Sequence, residues 1–167
     1  MVTISLDPGE LACVRMIAAY RELACAAAKL TDPHFSPDPF GDKVAGVTAE
    51  IAYAKWANVF PDLTAPATAH SYDVLHDGVR VDIKAVTHSD HRLIAPRWKQ
   101  VDSCDLYVLA LVCGAEVTLL GWVRSGDFIT PANLKNVGHG DCYVMTRDQL
   151  RRLDESLSEG LPIPVTQ

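Results

Sequence analysis

Asp73, Asp82 and Lys84 lie within one short stretch, residues 71–86 (SYDVLHDGVRVDIKAV), and their types and spacing suit a divalent cation beside a phosphate. The pair Asp77-Gly78 sits between two apolar runs and predicts a hairpin turn. After it the sequence alternates strictly. Val79, Val81, Ile83 and Ala85 point to one side, and Arg80, Asp82 and Lys84 to the other. Asp82 and Lys84 therefore project side by side. Eight residues separate Asp73 from Asp82, and a hairpin brings the two carboxylates together. Standing alone, an Asp-x-Lys on an amphipathic strand is usually just a solvated face; the rest of the set is what raises it.

A further acid has to come from another element. Residues 46–60 (GVTAEIAYAKWANVF) predict a helix. On a helical wheel Glu50 falls beside Ala54 and Ala57, away from Thr48 and Lys55. A carboxylate on an otherwise apolar face needs a partner, because burying it uncompensated is costly. It is a rim residue, a salt bridge to an arginine, or a third acid aimed at the hairpin, with small neighbours allowing close approach. Tyr53, Trp56 and Phe60 fall on a further side as core or interface.

The order Glu on a helix, Asp on a strand, then Asp-x-Lys on the next strand resembles the PD-(D/E)xK nuclease superfamily, over roughly residues 44–123. Tyr72 stands where the proline of that motif would be. The resemblance implies a restriction-endonuclease-like core of phage or restriction type. It implies Glu50, Asp73 and Asp82 as ligands of Mg²⁺ or Mn²⁺ and Lys84 as the group assisting the attacking water. DNA would be the partner, cut by metal-assisted phosphodiester hydrolysis.

The remaining chain must build the scaffold. With 167 residues, nearly half of them hydrophobic, a single domain over 1–167 is expected. The net charge of −6 argues against a general nucleic-acid coat, so a DNA surface would have to be local. No run of apolar residues is long enough for a membrane span, and the N-terminus does not read as a signal peptide. The five cysteines are odd in number, widely spaced and without a CxxC pair. They read as reduced core residues of a cytoplasmic protein, not as a zinc site.

Asp7-Pro8-Gly9-Glu10 starts a first helix reaching about residue 30, with an apolar stripe at Met16, Tyr20, Leu23, Ala27 and Leu30. It carries no chemistry and reads as a scaffold or dimer helix; a homodimer is one option for the assembly. Residues 31–45, with three prolines, form a loop or arm, in which His34 and Asp38 are solvated side chains sooner than metal ligands. The α/β core spans 46–157. Within it, residues 87–99 form the most basic stretch. Arg92, Arg97 and Lys99 can meet phosphates and Trp98 can stack on a base, or the stretch is a polar loop with a core-facing tryptophan. Residues 103–113 and 117–123 predict a buried strand pair, 142–145 a short strand, and Thr146 the start of a last helix to about residue 157, before a tail at 158–167. Asp105, opening the first of that pair, is an accessory acid or a turn cap.

The fold expected is α/β, a central mixed sheet flanked by helices. The function expected is a metal-dependent nuclease. Its rivals are a catalytically silent nuclease-fold DNA-binding or assembly module, and an unrelated α/β binding protein with a decorative Asp-x-Lys.

Overall fold

The computed structural model describes residues 1–28, 37–64, 72–88, 92–138 and 140–153. The chain opens with a strand, β1 (Val2–Ser5), too short for its alternation to stand out in the sequence. Helix α1 (Pro8–Ala27) then begins with a full capping box: the Glu10 amide donates to Asp7 Oδ1 at 2.8 Å and the Asp7 amide to Glu10 Oε2 at 2.7 Å. The same Asp-Pro signal recurs at Asp38-Pro39. Asp38 accepts from the Gly41 amide at 2.9 Å, and α2 (Pro39–Ala57) starts there. The expected loop over 31–45 is thereby shortened and the helix expected from Gly46 lengthened. His34 and residues 31–36 lie outside the described residues.

Strands β2 (Val74–His76) and β3 (Val79–Val86) form the expected hairpin. Asp77 (φ 50°) and Gly78 (φ 83°) both take the left-handed conformation that a two-residue primed turn requires. Next come β4 (Arg92–Pro96), β5 (Leu106–Cys113), β6 (Glu116–Arg124), the short α3 (Ser125–Phe128), β7 (Leu134–Asn136) and β8 (Asp141–Thr146). β5 and β6 are the strand pair expected from their apolar runs.

The protein is mixed α/β. One sheet has the order β1-β6-β5-β3-β2, with β3 and β5 parallel and the other neighbours antiparallel. A second, antiparallel sheet has the order β4-β8-β7. Alternation on the central strands serves two cores. Val81, Ile83, Leu106 and Val108 face α2, which brings Ala45, Ala49 and Ala52 close to the sheet. Tyr107, Leu109 and Leu120 face Leu93 and Ala95 of β4 and Phe128 of α3. A bulge at Leu120, where the β5–β6 register shifts, lets β6 serve both sides.

Both long helices thus flank the central sheet on one side, and a second sheet, which the expectation did not include, covers the other. The difference originates in residues 87–99, which were expected to form a loop. Leu93 and Ala95 alternate inward from β4, while Trp98 is exposed and not core-facing. The helix expected from Thr146 is a single 3-10 turn at Arg147–Gln149, because Arg151 is drawn into a backbone bridge with Trp122. Residues 154–167 lie outside the described set. All five cysteines are free, yet only Cys104 and Cys142 are buried, while Cys13 and Cys113 are exposed. Phe60 is exposed, whereas Tyr53 is fully buried. Among the described residues no helix is long and apolar enough to cross a membrane.

Candidate functional site

The hairpin register decides which side chains meet. Val74 pairs with Val81 as the last bridged pair of the hairpin, and Asp73 stands just before β2, beside the Val81–Ile83 stretch of β3. The Asp73 amide donates to the Val81 carbonyl at 2.9 Å, and Asp73 Oδ2 accepts from the Ile83 amide at 2.7 Å. The carboxylate of Asp73 is thereby fixed across the strand. Tyr53 holds α2 to the same hairpin through its hydroxyl, 3.0 Å from His76 Nδ1. That contact sets the height of Glu50, one turn earlier on α2, above the hairpin.

Asp82 is 1% exposed. A charge this deep must be compensated, and two ammonium groups do so. Lys99 Nζ donates to Asp82 Oδ2 at 2.5 Å. Lys84, its neighbour two residues along β3, makes an ion pair with Oδ1, though that oxygen accepts no well-directed hydrogen bond. Lys99, expected on a DNA surface, is 4% exposed and belongs instead to this cluster.

Glu50 meets Arg21 of α1, whose Nη1 lies 2.9 Å from Oε1 and 2.8 Å from Oε2. Arg21 also donates to the carbonyls of Asp62 at 3.0 Å and Thr64 at 3.3 Å, tying α1 to the segment that leaves α2. The salt bridge to an arginine and the approach to the hairpin were alternatives in the sequence; the structure combines them. Burial, and then the negative charge of Asp73, push the Glu50 carboxyl up to about 8 despite Arg21 and Lys84. Burial and the charge of Asp82 push Asp73 up to about 6, against the pull of Lys84 and the Ile83 amide. On Lys84, burial opposes the charge, but Asp82 and Asp73 outweigh it and hold the ammonium above its ordinary value. Glu50, Asp73, Asp82 and Lys84 are therefore electrostatic neighbours.

A second polar layer lies behind Asp82. Tyr107 is its register partner on β5, and the hydroxyls of Tyr107 and Ser125 join Asp82 Oδ1 as buried oxygens without a hydrogen bond. The Cys104 thiol borders them, pushed up to about 11 by burial and then by Asp82, so it stays protonated. Arg21, Tyr107 and Ser125 carry no local sequence signal; only the need of Glu50 for a cation could have pointed to an arginine.

The other residues expected to touch DNA are separate from this cluster. Arg92 and Trp98 are exposed on and after β4, and Arg97 pairs with Asp141 at 3.1 Å on the surface. Asp105 is held by Arg80, with Nη2 to Oδ1 at 2.8 Å and Nε to Oδ2 at 3.1 Å, and so acts as a strand-edge clamp. Asp38 is a helix cap.

The donor set is chemically suited to Mg²⁺ or Mn²⁺: carboxylate oxygens, one of them buried without a hydrogen bond, in a row where like charges already repel. Among the described residues no three His, Cys, Asp or Glu side chains form a ready-made cage. No protein-family model, curated protein or solved structure matches the chain.

Proposed function

We propose that the protein is a metal-dependent nuclease of the PD-(D/E)xK kind, hydrolysing DNA phosphodiester bonds. The observation that carries this reading is the anchoring of the Asp73 carboxylate to the Ile83 amide, next to Asp82, with Glu50 and Lys84 within electrostatic reach. Asp73 and Asp82, with Glu50 in support, would hold the cation. A divalent ion there supplies Lewis-acid activation of water and offsets negative charge on the phosphoryl oxygens. Lys84, partly exposed beside Asp82, places a point charge where the attacking water or a phosphate oxygen would lie. Arg92, Arg97 and Trp98 offer exposed contacts to phosphates and a base. A restriction-endonuclease-like core and a location in the cytoplasm belong to the same proposal.

A second reading has its own support. Both oxygens of Asp82 face ammonium groups. Three acids balanced by Lys84, Lys99 and Arg21 can serve as a structural ion cluster in a catalytically silent DNA-binding or assembly module.

Asp73→Asn separates the two. Asparagine keeps an oxygen for the Ile83 amide and removes a carboxylate that sits under repulsion, so the fold should keep its stability. Wild type should nick supercoiled plasmid or cut a labelled single strand with Mg²⁺ or Mn²⁺, and the variant should lose at least about 10²-fold, the scale of losing a charge-stabilising group. Wild-type protein that cuts neither substrate with either metal would leave the silent module as the reading.

A further inference from the structure

The outer face of α1 is apolar and uncovered. The helix buries Val14 and Ala18, whereas Met16 is 72%, Tyr20 57% and Leu23 69% exposed. The stripe read from the sequence therefore points away from the core. Its spacing is that of a coiled-coil seam. Ala12, Met16, Ala19 and Leu23 recur at alternating steps of four and three, all exposed. Arg15 and Glu22 flank the seam on one side, a heptad apart; Cys13 and Tyr20 flank it on the other, also a heptad apart.

We infer that this face pairs antiparallel with the same face of a second copy, forming a two-fold homodimer. Two features commit the seam to its own copy. The first is charge. In an antiparallel pair each flank meets the same flank of its partner, so Arg15 lies near Glu22 of the other copy and Glu22 near its Arg15. The pairing is satisfied twice by symmetry. Among the described residues Arg15 makes no ion pair within its own chain; Glu22 meets Lys43 and is about half exposed, with its side chain 48% accessible. A parallel pair would lose both cross-helix contacts. The second feature is size. The register that matches the charges sets Met16 against Ala19 and Leu23 against Ala12, a large side chain on a small one in each layer. Cys13 and Tyr20 then meet on the far flank. Sliding one helix by a heptad would bring Glu22 against Glu22.

The seam, from Ala12 to Leu23, is only about 17 Å long at about 1.5 Å per residue. It is smaller than the roughly 800 Å² per partner of a standard stable interface, so the dimer should be of micromolar strength. The inference is independent of any nuclease activity.

Sedimentation velocity of the full chain, from about 1 to 200 μM, tests it. Wild type should shift from monomer to dimer within that range, a micromolar equilibrium. Leu23→Glu should stay monomeric. Arg15→Glu should weaken association at least about 10-fold, and Arg15→Glu with Glu22→Arg should recover most of it. Circular dichroism melts of dilute samples show that each variant is folded. A wild type monomeric throughout overturns the inference. So does a folded Leu23→Glu that still dimerises, or a folded double variant no stronger than Arg15→Glu alone.

Discussion

Lys99→Met removes one of the two ammonium groups on Asp82 while preserving side-chain length and apolar contact. Both partners are buried, so the charge left behind cannot be rescued by solvent. Breaking a buried pair costs about 3–5 kcal/mol. Lys84 remains on the other oxygen of Asp82, so the loss should fall toward the lower end, about 2–4 kcal/mol. For a chain of this size each kcal/mol is worth about 2–4 °C in Tm, giving a drop of about 5–15 °C. Magnesium then provides the discriminating measurement. If the acids form a cation site, the Lys99 ammonium competes with the metal for Asp82. The variant should accordingly bind Mg²⁺ more tightly than wild type, and Mg²⁺ at about 100 times its Kd would restore about 2.7 kcal/mol. The assay is thermal melting with MgCl₂ against NaCl of equal ionic strength, on both proteins. A drop below about 2 °C would show that Lys99 does not compensate Asp82. Equal Mg²⁺ effects on the two proteins would refute the competition.

Lys84→Ala should lower DNA cleavage by about 10²-fold or more while Tm changes little, because Lys84 is partly exposed and Lys99 still serves Asp82; full activity in a folded variant would remove Lys84 from the chemistry. Glu50 and Asp73 sit above their unfolded values of 4.5 and 3.8, at about 8 and about 6, so the folded state holds protons that the unfolded chain has released. Their contribution to stability is full below the unfolded values and is lost as pH rises through the folded ones. Metal-free Tm should therefore fall between about pH 5 and 8, less steeply in Glu50→Gln, and Mg²⁺ affinity should rise over the same interval. Calorimetry at four or five pH values checks both, and identical slopes in wild type and Glu50→Gln would reject the assignment to Glu50.

The hairpin was legible because alternation, an Asp-Gly turn and a two-residue loop all dictate the same register. Glu50 was legible as a problem, a carboxylate on an alanine face, but its arginine lies 29 residues earlier on a different helix. The stripe on α1 was visible, yet amphipathicity does not say which side turns inward. The core takes the small Val14 and Ala18, with Leu11 and Ile17 packed at its edge, and leaves Met16, Tyr20 and Leu23 outside. Strand β4 was hidden because Arg92, Arg97 and two histidines made a short Leu-x-Ala alternation read as a basic loop. Lys99 looked like a surface cation because its partner is 17 residues away and meets it only through the tertiary fold.

The turn at Asp77-Gly78 has a consequence remote from itself. Asp73 is held beside Asp82 because a two-residue loop fixes how the strands count against one another. A residue inserted there and taken up by the strand, not by a longer loop, would shift the facing pairs. Every side chain of β2 would then exchange the α2 side for the opposite one. Asp73, about 13 Å along the strand at about 3.3 Å per residue, would lose its acidic counterpart without being touched. An insertion at an exposed loop, ordinarily the most tolerant place in a protein, would here separate the two acids as surely as replacing one of them.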